Sequence, residues 1–212
     1  MQKNKLITII IILLFFAVGI YFYPQMPETM ASHWNAYGEV DGYMSRCWGL
    51  FFMPILSVFL FLLFIIIPKM DPLRANIEKF RKYYDGFILL MILFFFYIYL
   101  LTIFWSLGYR FDMGQFMIPA MGVLFYYCGV LIENSEKNWF IGIRTPWTLS
   151  SDSVWKKTHK LGGKLFKISG LLALLGLFFG QWAFFFVIVP AIFNSLYTVL
   201  YSYFEYHKEK KI

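Results

Sequence analysis

The segment Leu6–Tyr23 reads LITIIIILLFFAVGIYFY, and five more stretches of the same kind follow it: Trp48–Ile67, Phe87–Leu107, Gly114–Ile132, Leu165–Gly180 and Trp182–Phe204. About 20 mostly apolar residues cross the hydrocarbon of a bilayer as a helix. Within lipid, only a helix or a closed barrel satisfies every backbone amide. The expected fold is therefore all-α and integral to the membrane, a bundle of six transmembrane helices. Composition agrees: 60% of residues are hydrophobic and 15% are charged, against about 25% charged in a soluble domain. Near Ala17–Gly19 the first run faintly resembles a signal-peptide cleavage site. It continues to Tyr23, longer than the usual 7–15-residue core of such a peptide, so it reads as an uncleaved anchor.

The net charge of +7 is the kind of value that nucleic-acid binders show, but its placement points elsewhere. With both termini on one side, sixteen of the 19 Lys and Arg fall on that side and two, Arg46 and Arg110, on the other; Lys167 lies at the inner end of the fifth span. Basic loops stay cytoplasmic, so both termini are expected inside, with no direct binding of nucleic acid. Cys47 and Cys128 then lie near opposite faces and are not expected to pair.

Five regions follow. Residues 1–68 form a helical pair with an extracytoplasmic polar cap at 24–47. Residues 69–86 form a basic cytoplasmic loop, and 87–132 carry helices three and four. Residues 133–164 form a cytoplasmic loop and an amphipathic interfacial helix before helix five, and 165–212 form a C-terminal helical hairpin and a basic tail.

The expected spans hold almost no ionisable side chain besides Lys167, which argues against an ion-coupled transporter. Pro54, Pro119 and Pro190 interrupt three spans and are expected to kink them. GLFFG at Gly176–Gly180 would let a helix of the same protein approach closely.

Chemistry is confined to two polar segments. In the outer one, Pro24 and Pro27 end the first helix, and Gly38 and Gly42 supply turn chemistry. Trp34, Tyr37 and Tyr43 suit the headgroup level. His33, Glu39 and Asp41 are grouped, but their spacing matches no metal motif. This cap reads either as a surface for an extracellular ligand or as a rigid interfacial loop.

In the inner segment, NWFIGIRTPWTL is a loop broken at Gly142 and Pro146, with Arg144 the single cation among aromatic and aliphatic neighbours. Arg144 is placed to stack on an indole, to donate to free carbonyls or to meet a lipid phosphate. Ser150 or Ser151 caps the helix that follows. That helix places Trp155, His159 and Gly162 on one face and the Lys156, Lys160, Lys164, Lys167 stripe on another, suited to an anionic inner leaflet. The segment reads equally as a topology-setting linker and as a docking surface for a cytosolic partner. Neither HExxH nor GxSxG nor a glycine-rich phosphate loop occurs, and the three histidines fall on different sides. No catalytic residue, metal or cofactor is expected.

NWFIGIRTPWTLSSDSVWKKTHKLGGKLF resembles the signature of the SdpI-like immunity proteins, bacterial multi-pass membrane proteins. MPETMASHWNAYGEVDGYMSR resembles the extracytoplasmic motif of the domain of unknown function found at their N-terminus. By position the resemblance singles out Asn138, Gly142, Arg144, Thr145, Pro146, Trp147, Trp155, His159 and Gly162 inside. Outside it singles out Pro27, His33, Trp34, Gly38, Asp41 and Gly42. It implies immunity or a related envelope role at the cell membrane. The first reading is a protein, set in the lipid bilayer, that binds a secreted toxic peptide at the outer cap or the helix bundle and recruits a cytosolic regulator through the inner loop. Oligomerisation is left open. The alternative is a small transporter or flippase for peptide or lipid, or an envelope-stress protein.

Overall fold

A computed structural model describes residues 2–35 and 38–210. Tyr37, one of the expected headgroup aromatics, lies outside the described residues. Six helices are long and apolar enough to cross a membrane: α1 (Gln2–Phe22), α2 (Arg46–Met70), α4 (Arg81–Ser106), α5 (Met113–Asn134), α7 (Asp152–Leu175) and α8 (Ala183–Lys210). Two short helices, α3 (Arg74–Lys79) and α6 (Pro146–Ser150), lie between them. The strands β1 (Thr29–Trp34) and β2 (Val40–Ser45) form an antiparallel hairpin between α1 and α2.

The helices outrun the apolar stretches at one end or both. Peptide groups near the headgroups still require hydrogen bonds, so helices continue into polar sequence. Caps then fix the boundaries. Asp112 accepts from the Gln115 N–H (3.2 Å) and starts α5. Ser151 accepts from the Val154 N–H (3.3 Å) and starts α7. Pro54, Pro119 and Pro190 lie within continuous helices, as does Pro68.

The amphipathic stretch runs without a break into the fifth span, as expected, and forms the first half of α7. Two expectations change. The basic loop at 69–86 shrinks to the connection between α2 and α4, most of it α3. GLFFG is part of the turn between α7 and α8: Gly176–Phe178 and Gly180–Trp182 are 3₁₀ turns, and Gly180 has φ +52°. Beyond the apolar spans the long helices extend into paired charges. Arg81 donates to Asp85 at 2.8 Å within α4, both buried, and Glu133 of α5 pairs with Lys167 of α7. Pairing lowers the cost of charge inside a membrane helix.

Two packing chemistries divide the bundle. Around α1, α2 and α4 the core is aliphatic and aromatic: Phe15, Leu50, Ile92, Tyr99 and Ile103 are fully enclosed, and Ile77 and Phe80 plug one end. Between α5 and α7 the seam is glycine. A Cβ on Gly122 would stand 2.9 Å from the Gly170 carbonyl oxygen, and one on Gly129 would stand 2.5 Å from that of Gly163. The seven-residue spacing on both antiparallel helices brings backbone against backbone, which strengthens association where lipid supplies no hydrophobic drive. Helix α8 joins this pair through a buried polar contact, Asn194 Nδ2 donating to Ser169 Oγ (2.5 Å).

Candidate functional site

The signature loop closes on itself first. Fully buried Asn138 accepts at Oδ1 from the N–H groups of Phe140 (2.9 Å) and Ile141 (2.6 Å). Its Nδ2 donates to the carbonyls of Glu136 (2.8 Å) and Ile141 (2.9 Å). One side chain thus replaces the backbone pairing that an irregular loop lacks. Gly142 follows at φ +110°, a conformation that favours glycine.

The loop then docks on α7. His159 Nε2 accepts from the Ile143 N–H (3.0 Å), so Nε2 carries no proton. Nδ1 donates to the Trp155 carbonyl (2.8 Å), which defines a neutral ring. Trp155 stacks on that ring (centroids 3.8 Å, 15° between planes) and its Nε1 donates to the Ser135 carbonyl (2.9 Å). A Cβ on Gly142 would clash with His159 Nε2, and one on Gly162 with Ile143 Cδ1. The expected Trp155–His159–Gly162 face is real, and what covers it is the protein's own loop.

Thr145 and Thr148 form a reciprocal capping box at α6, with Pro146 at the first helical position. Thr145 Oγ1 also meets Ser202 Oγ of α8 at 2.9 Å, and Trp147 packs edge-on against Tyr203 (5.2 Å). Arg144 is exposed and donates to the Trp139 carbonyl (2.8 Å), the second of its three expected roles. Trp139, at 52% exposure, and Phe140 stand free beside it.

Sequence reading missed two anchors. Asp71, buried at the end of α2, accepts from the N–H groups of Leu73 (2.7 Å) and Trp139 (2.9 Å). Asn76 of α3 donates to the Lys137 carbonyl (2.8 Å). Their partners are more than sixty residues away, and no local pattern announces such contacts.

At the opposite end, β1 and β2 carry the second residue set. His33 Nδ1 and Asp41 Oδ1 form a short contact at the solvent-exposed surface, with side chains 70% and 46% exposed. Glu39 is drawn away to Asn35 (3.0 Å). The grouped His33, Glu39 and Asp41 thus resolve into a pair plus one. Gly42 lies opposite His33, where a Cβ would stand 2.9 Å from that of His33. Gly38 (φ +79°) approaches Asp112. Trp34 packs edge-on against Trp105 (5.8 Å), and the Pro27 carbonyl accepts from Arg46 (3.2 Å). The hairpin is fastened to α2 and to the α4–α5 turn, and it presents His33 and Asp41 outward.

Neither residue set reaches the other, and each sits at one end of the bundle. The chain is a multi-pass cell-membrane protein with an organised polar device at each end. Residues 135–202 match the SdpI/YfhL protein family and residues 10–58 match the domain of unknown function DUF1648. The chain is 28% identical over 208 residues to the immunity protein SdpI of Bacillus subtilis, covering 98% of each. No solved structure matches. The chain is thus similar to the SdpI/YfhL family over its C-terminal third and to an immunity protein along nearly its whole length.

Proposed function

We propose that this protein protects its cell against a secreted, membrane-active toxic peptide, with the hairpin outside and the signature loop in the cytoplasm. One observation carries the reading: similarity to a named immunity protein runs through the whole chain and takes in both polar segments. The lysine and arginine distribution supports the orientation. His33 and Asp41 are exposed where an external peptide would arrive. Arg144, Trp139 and Phe140 are exposed where a cytosolic regulator would dock. Helix α8 lines the bundle wall and grips the loop through Ser202 and Tyr203, so a peptide binding there could bias the loop through differential contacts. The role is binding rather than catalysis.

Survival is the test. The chain is expressed in a bacterium sensitive to a sporulation-delaying-type toxic peptide, beside His33→Ala and Arg144→Ala at equal membrane abundance. Wild-type protection lost in His33→Ala places recognition on the hairpin. Absence of protection by the wild type overturns the proposal.

A further inference from the structure

A pocket of about 210 Å³ opens where three chain segments converge at the loop end. Asn76 and Lys79 line it from α3, Glu136 and Lys137 from the stretch after α5, and Asp152 and Lys156 from the first turns of α7. These segments are locked together. Asn76 donates to the Lys137 carbonyl (2.8 Å), and Lys79 Nζ donates to Asn76 Oδ1 (3.0 Å). Lys137 Nζ pairs with Asp152 (2.7 Å).

Three ammonium groups thus face one pocket with two carboxylates, and one carboxylate is already engaged by Lys137. Lys156 forms no ion pair among the described residues. Three cations against two carboxylates leave one positive charge uncompensated, which a bound anion would neutralise. Three point-charge donors on three segments suit a compact anion with several oxygens, the geometry of a phosphate group. The pocket lies at the start of α7, with the exposed Lys160 and Lys164 one and two turns further along the helix from Lys156. Basic pockets between membrane helices hold anionic lipid headgroups.

We infer that this pocket binds a phosphate group, carried by an anionic phospholipid or free in solution. The inference is independent of the immunity reading. The full chain is purified in detergent and offered phosphatidylglycerol, phosphatidylcholine or inorganic phosphate. Bound lipid is counted by native mass spectrometry, and the unfolding midpoint is read alongside. One phosphatidylglycerol is expected to be retained, at least ~tenfold more weakly in Lys79→Gln/Lys156→Gln. Lys160→Gln/Lys164→Gln removes the same charge outside the pocket and leaves binding as in the wild type. Lys79→Arg/Lys156→Arg restores binding, which separates lost charge from misfolding. A raised midpoint with inorganic phosphate, and competition with lipid, would mark a soluble phosphate as the source. Equal weakening in the two Gln double variants, or no preference of either phosphate probe over phosphatidylcholine, overturns the inference.

Discussion

Gly142 and His159 occupy complementary space: the only room for a Cβ on Gly142 is already filled by Nε2 of His159. The same nitrogen accepts the Ile143 N–H (3.0 Å), so the tightest turn of the loop is built around one imidazole of α7. Gly142→Ala should therefore destabilise the loop by roughly 1–3 kcal/mol from backbone strain, with the clash in addition. His159→Phe keeps a ring against Trp155 but orphans a backbone donor, costing about 1–3 kcal/mol. Unfolding midpoints in one detergent check both, and His159→Phe at wild-type stability would refute the role given to Nε2.

Asp71 holds the Trp139 and Leu73 N–H groups with one carboxylate. Asp71→Ala is expected to cost about 1.5–3 kcal/mol, the range for hydrogen bonds to charged groups. Amide exchange should rise around 138–142 while the distant hairpin 29–45 stays protected.

The α5–α7 seam makes a sharper demand. Gly129→Val or Gly170→Val forces side-chain atoms into the opposing backbone. Overpacking of this kind costs typically 1–3 kcal/mol, and folded yield should fall with it. Gly122 faces the Gly170 carbonyl and Gly163 that of Gly129, so substitutions there should behave alike.

Arg144 is different because its side chain is exposed. Arg144→Ala should leave the unfolding midpoint within a degree or two of wild type and lose its effect on any cytosolic partner. A large fall in stability would move Arg144 from the exposed surface of the loop to its framework.

The orientation can be read from native chemistry. Cys47 is exposed beside the hairpin, and both cysteines are free. In a Cys128→Ala background, a membrane-impermeant maleimide should label Cys47 on intact cells. With Cys47 also removed, a cysteine at exposed Ser150 should react only after lysis. The reverse pattern would invert the protein.

The six spans were legible because long apolar runs leave no alternative in lipid. The Trp155–His159–Gly162 face was legible from helical spacing, and a serine cap at 150 or 151 from its chemistry, which the structure places at Ser151. The β-hairpin was not: TMASHW and VDGYMS are short, and the register shifts around His33 obscure alternation. The glycine seam escaped because Gly122–Gly129 and Gly163–Gly170 have seven-residue spacing, while the eye is drawn to GxxxG at Gly176, which belongs to a turn. Asp71 and Asn76 escaped because nothing local announces a partner more than sixty residues away.

The ties from the signature loop to α7 and α8 have an electrical consequence. Ile143 N–H to His159, Trp155 to Ser135 and Thr145 to Ser202 all join neutral groups. Voltage does work only on displaced charge, about 2.3 kcal/mol per elementary charge per 100 mV. These three contacts carry no net charge, so a change in membrane voltage does no direct work on them.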